Sequence, residues 1–146
     1  MSQQLLNLQD LLSQVKSVLN ETQELQPSPV VFDADDVPDT VRHASYRLVA
    51  GPIQTNVMSR ADGMGTLCSE KTRFLFIYVA AKNLNNDQEA YEDLIRMEEL
   101  IEQNLLKDPR TSPYFHTLQN VETAPDADNL FWVMEMVFEF DYQRNF

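Results

Sequence analysis

Between Trp132 and Tyr142 a large apolar side chain returns at every second position: Trp132, Met134, Met136, Phe138, Phe140 and Tyr142. Between them stand Val133, Glu135, Val137, Glu139 and Asp141. Successive residues of a strand point to opposite sides, so this spacing predicts a strand with one apolar face and one largely acidic, wet face. A sheet wet on one side is mainly antiparallel, and its apolar side needs a cover. Phe74-Leu75-Phe76-Ile77-Tyr78-Val79 is apolar at both parities and rich in aromatic and β-branched residues, which predicts a central strand covered on both faces.

Two amphipathic segments supply the cover. Leu5, Leu8, Leu11, Leu12, Val15, Val18 and Leu19 recur at three- and four-residue steps, predicting a helix over about residues 3–25. Ser2 is placed to cap it, and Gln26-Pro27-Ser28-Pro29 stops it. In the second segment Asn86 followed by Glu89 has the form of a capping box. The long helix it opens buries Tyr91, Leu94, Ile95, Ile101 and Leu105, widened by Met97 and Leu100, and ends at Asp108-Pro109. Glu92, Asp93, Glu99 and Glu102 face water on its other side.

The remaining elements are shorter. Val30-Val31-Phe32 predicts a short strand, and residues 44–58 an extended stretch broken or bent at Gly51-Pro52. Residues 60–66 hold two of the three glycines and mark a flexible loop or a hairpin tip. Residues 115–121 predict a further strand, joined to the last by a turn at 124–129. The fold class expected is α+β, a mixed, mainly antiparallel sheet flanked by an N-terminal helix and one long helix. The length predicts a single domain over residues 1–146, the sheet and long helix occupying 30–146.

Charge constrains the partners. Eleven Lys and Arg against 23 Asp and Glu leave a formal charge of -12, which repels phosphate backbones. The charge is unevenly spread, at -6 over residues 1–41, +4 over 42–82 and -10 over 83–146. A basic middle between acidic ends lets one copy's middle meet another's acidic surface, head to tail. The same charges also serve simply as a solvated surface.

The motifs of common chemistries do not form. Asp33, Asp35 and Asp36 resemble a calcium loop, but counting from Asp33 the sixth position is Pro38 and the twelfth Ala44, where an EF-hand needs Gly and Glu. Gly63-Met64-Gly65 precedes a strand rather than opening a helix, unlike a phosphate-binding loop. His43 and His116 lie in no zinc motif, and Cys68, the one cysteine, fits a small packing residue in a reducing cytoplasm. No metal, cofactor or catalytic site is expected. The longest apolar run, Phe74–Ala81, is far short of the roughly 20 residues of a membrane-spanning helix, and the N-terminus lacks the basic start of a signal peptide.

The order of elements, from the helix at Leu5–Leu19 through the glycine loop, buried strand and long helix to the aromatic strand at Trp132–Tyr142, resembles the phage tail terminator family. These proteins are also called tail completion or tail-to-head joining proteins. The resemblance covers nearly the whole chain and rests on architecture. It implies a structural virion protein of the tail or neck, assembled in the host cytoplasm, that forms a hexameric ring and is not an enzyme. Its implied partners are further copies of itself, the tail tube protein, a neck or head-completion protein, and the sheath protein if the tail is contractile. DNA would pass through without specific binding. An extended hairpin at about Gln54–Lys71 would reach a neighbour, making Arg60, Met64, Lys71 and Arg73 interface candidates, with Glu99 and Glu102 as acidic counterparts. Asp33, Asp35 and Asp36 are candidates for an acidic lumen. The alternatives are another neck or tail subunit, a small acidic ligand-binding or enzymatic α+β domain with its site at the Gly63–Gly65 loop, and an acidic mimic of nucleic acid.

Overall fold

The structure, a computed structural model, describes residues 8–28, 30–33, 35–59 and 67–145; for residue 8 and for 52–59, 67–71, 115–116 and 142–145 it describes the backbone alone. The elements are α1 (Leu8–Asn20), β1 (Gln26–Pro27), β2 (Ser45–Ser59), β3 (Leu67–Lys82), α2 (Asp87–Lys107), a 3-10 turn (Ser112–Tyr114), β4 (Phe115–Pro125) and β5 (Phe131–Asn145). They form an α+β fold around one mixed sheet in the order β1-β2-β3-β5-β4, parallel only between β1 and β2. β3 lies in the centre, as its apolar run requires.

Both helices cover one face. Leu11, Val15, Val18 and Leu19 of α1 and Leu94, Met97, Ile101 and Leu105 of α2 meet Leu75, Ile77 and Val79 of β3 and Met134, Met136, Phe138 and Phe140 of β5, all buried. Burial of each such side chain is worth about 1.5–3 kcal/mol before chain entropy is subtracted. The alternation expected in the last strand is therefore present, with Glu135 and Glu139 half-buried and Asp141 exposed on the opposite face. α2 begins where its cap predicts: the Asn86 side chain accepts the Glu89 N–H at 2.9 Å, and the helix stops before Asp108.

Several expectations need correction. The first helix ends at Asn20 rather than near residue 25. The Thr22 hydroxyl turns back onto the Val18 carbonyl at 2.9 Å, and Glu24 adopts a positive φ of 71° that a helix cannot continue through. Ser2 lies outside the described residues. Val30-Val31-Phe32 is not a strand; the short strand is Gln26–Pro27, and the described residues between it and Ser45 form a coil with turns. Phe32, Val37 and Val41 of this coil pack on Ala80, Phe131 and Val133, forming a second core on the sheet's other face. That cover reaches only one end of the face, so Phe74, Phe76 and Tyr78 are half-buried rather than enclosed. Tyr91 and Ile95, expected in the core, are 44% and 41% exposed, because Ala90 and Leu94 take the positions against the sheet. Tyr91 instead lies edge-on to Trp132, with ring centroids 5.8 Å apart.

Candidate oligomer interface

β2 and β3 form a long antiparallel hairpin, paired from Ser45–Ala80 to Ser59–Leu67, with one register shift between Ala50 and Ile53. β5 accompanies β3 from Lys82–Phe131 to Cys68–Asn145. At about 3.3 Å per residue these strands run roughly 50 Å, whereas the 21 residues of α2 span roughly 31 Å. Among the β3 residues whose side chains are described, Leu75 is the outermost buried one, and the backbone ribbon continues past it from Arg73 to Leu67. The backbone thus builds a three-stranded arm that runs on past the described core residues.

Of the hairpin candidates, Arg60 and Met64 lie outside the described residues, and Lys71 is placed by its backbone opposite Thr55 and Tyr142. Arg73 sits at the base of the arm, opposite Ile53 and Phe140, on the helix-covered face. It is half-buried, and its Nε is buried without a hydrogen-bond partner. Glu99 and Glu102 are exposed on α2, and among the described residues neither has a partner within the copy. The surroundings of these two are strongly acidic: α2 carries seven Asp and Glu against Arg96 and Lys107.

Asp33, Asp35 and Asp36 are exposed and belong to the coil that covers the other face of the sheet. The Asp35 carbonyl accepts the Ala127 N–H at 2.9 Å, which ties the coil to the turn before β5. Asp35 also lines a crease with Glu122 and Glu135, so acidic side chains from three elements converge on this side. One cation is held among them: Arg47 lies 3.5 Å from Asp33 and donates to the Phe32 carbonyl. Burial, then a hydrogen bond to Glu135, pushes the Tyr78 hydroxyl up to about 12, so it stays a neutral donor there. The structure therefore groups Asp33, Asp35 and Asp36 with Glu122 and Glu135, and places Glu99 and Glu102 on the helix side of the sheet, away from them.

Two features left no signal in the sequence. Arg110 binds both oxygens of Asp108 at 2.9 and 2.8 Å and both oxygens of Glu21 at 2.8 and 2.9 Å, clamping the end of α1 to the end of α2 across 89 positions of chain. His43 accepts the Lys82 N–H on Nδ1 at 3.1 Å and has Asp93 3.5 Å from Nε2, so both ring nitrogens serve the fold. Among the described residues no group of three or more His, Cys, Asp or Glu side chains is placed to hold a metal ion.

The clamp has a pH signature. Hydrogen bonds from Arg110 hold the Asp108 carboxyl down at about 2 against an ordinary 3.8, and they lower Glu21 as well. A depressed carboxyl contributes stability that is fully present above its unfolded value and is lost as pH falls through the folded one, here between about 4 and 2. Carboxyl NMR should find Asp108 titrating near 2 in the wild type and returning toward 3.8 in Arg110→Gln. An unchanged titration in the variant would mean the clamp does not form.

No protein-family model matches the sequence, and no curated protein matches it either. Among the described residues, no helix is long and apolar enough to cross a membrane.

Proposed function

We propose that the protein is a ring-forming structural subunit of a phage tail, a tail terminator that caps the tail tube and joins it to the head connector. The observation that carries this reading is the arm. A backbone ribbon that runs on past the described core offers its faces and edge to a neighbour. Charge supports the same arrangement: the basic middle of the chain contains the hairpin, and the unpartnered Glu99 and Glu102 lie on an acidic helix that a neighbour's arm can meet. A head-to-tail contact of this kind closes into a ring when its rotation permits, here a hexamer.

The acidic side of the sheet suits a lumen. Asp33, Asp35, Asp36, Glu122 and Glu135 would repel the phosphates of passing DNA, which then slides without adhering. The ring would meet the tail tube protein on one side and a neck or head-completion protein on the other, with a sheath protein around it if the tail contracts. The place of action is the virion.

Native mass spectrometry and negative-stain imaging test the reading: six-fold annuli are expected, formed alone or on addition of the tube protein. Reversing Arg60→Glu and Arg73→Glu together should weaken assembly at least about tenfold, since two ion pairs turned to repulsion cost about 1.4 kcal/mol or more. Glu99→Lys with Glu102→Lys, on the other partner surface, should weaken it similarly. Circular dichroism of both variants should match the wild type. Unchanged assembly in both would remove the arm-to-helix contact, and turnover of a small molecule by a single copy would remove the ring subunit altogether.

A further inference from the structure

The two free edges of the sheet are treated differently. β4 is blunted: its register with β5 slips between Phe115 and Thr117 and again between Asn120 and Glu122, and it ends at Pro125. Bulges, charges and proline are the usual means of keeping an edge from pairing with another chain. β2 has no such protection along the arm. β1 covers it only at Ser45 and Tyr46. Past the irregularity at Ala50–Ile53 it runs in unbroken register with β3 from Ile53–Arg73 to Ser59–Leu67, and no described strand lies on its outer side.

The geometry points to a second contact, beyond the ring: the outer edge of β2 over Ile53–Ser59 pairs antiparallel with the same edge of a second copy. The choice of a second copy rests on charge. The chain carries -12, so most self-contacts oppose like charges, but Ile53-Gln54-Thr55-Asn56-Val57-Met58-Ser59 contains no ionisable side chain. A two-fold pairing sets each residue against a symmetry-related one, and like charges directly opposite destabilise a ladder. On this edge there are none to oppose. Pairing β2 with a neighbour's β4 would instead have to cross two bulges and Glu122. The self-paired edge centres on Asn56 and leaves Pro52, which has no N–H to give, at the end of the ladder. The pairing does not depend on the ring: it forms a dimer by itself, and together with a ring it would join two rings back to back.

The symmetry supplies the test. At a two-fold axis a residue meets its own copy, so a single cysteine near the axis cross-links to itself, whereas in a head-to-tail contact it faces a different residue. In a Cys68→Ser background, Asn56→Cys stands on the axis and faces its own copy within disulfide range, and Thr55→Cys or Val57→Cys takes that place for a pairing centred one residue to either side. Mild oxidation should convert at least one of the three mostly to covalent dimer, while Gln119→Cys on β4 yields only the background of random collision. On the unmodified chain, amide hydrogen exchange over residues 53–59 should slow roughly tenfold as concentration rises about a hundredfold, with β4 unaffected. Cross-linking at all three positions no higher than at Gln119→Cys, or exchange over 53–59 independent of concentration, overturns the pairing whatever the ring experiment finds.

Discussion

Phe138→Ala should cost about 3–5 kcal/mol of folding stability, the range for emptying a buried aromatic site that cannot collapse. Phe138 is 1% exposed. It stands on β5 with Leu75 of β3 opposite on one side and Leu118 of β4 on the other, under both helices. Its ring is tilted 46° against Phe140 with centroids 5.4 Å apart, so truncation also loses an aromatic pair worth about 0.5–1.5 kcal/mol. A domain of this size has about 5–15 kcal/mol in total, so the variant should lose about a fifth of it or more and melt about 10–20 °C lower. Phe74→Ala provides the comparison. Phe74 is half-buried on the other face and is not among the residues packed with Phe32, Val37 and Val41, so its loss should cost less than half as much when both variants are unfolded in urea. Equal costs for the two would mean that the helices do not define the principal core.

The contrast between these phenylalanines marks what could be read from the sequence. Alternation along Trp132–Tyr142 announces which side of β5 is covered, because period two is a local property of a strand. The cap at Asn86 and the stop at Asp108 are equally local, and both stand where the residue types place them. What covers the second face is not local. Val30–Phe32 has strand-like residues, yet the chain uses Gln26 and Pro27 for pairing and spends Phe32 as a plug over Ala80 and Phe131. Tertiary contact overrode propensity there. Tyr91 and Ile95 satisfy a helical stripe as well as Leu94 does, and only the position of the sheet decides which of them is buried. The Arg110 clamp joins residues 89 positions apart and so had no pattern to betray it. Of the candidate interface, the hairpin was legible from its strands and glycine loop. The contrast between its open β2 edge and the blunted β4 edge required the register.

Gly51→Ala should destabilise the fold by about 1–2 kcal/mol, although the usual expectation for glycine in a strand has the opposite sign. Replacing glycine by alanine in a strand normally gains about 0.5–1 kcal/mol by restricting the unfolded chain. Here a Cβ would lie 2.5 Å from Phe76 Cε2 and 3.0 Å from the Phe74 carbonyl oxygen. The ring can swing; the carbonyl belongs to the β3 ladder and cannot move without its strand. Overpacking of this kind costs about 1–3 kcal/mol, which outweighs the entropic gain. In a Phe76→Ala background the nearer clash is gone but the 3.0 Å approach to the Phe74 carbonyl remains, so Gly51→Ala should cost about 1 kcal/mol less than in the wild type, which is the coupling expected in a double-mutant cycle. A stabilising Gly51→Ala in the wild type would show that Phe76 does not lie over this position. The site also bears on assembly, because Gly51 stands in the register shift between Ala50 and Ile53, where the arm leaves the core. A bulge bends and twists its strand, so its shape sets the direction of the arm. If neighbouring copies meet through that arm, Gly51→Ala should alter assembly more than its cost in stability explains, and Gly51→Ala with Phe76→Ala should recover part of the difference.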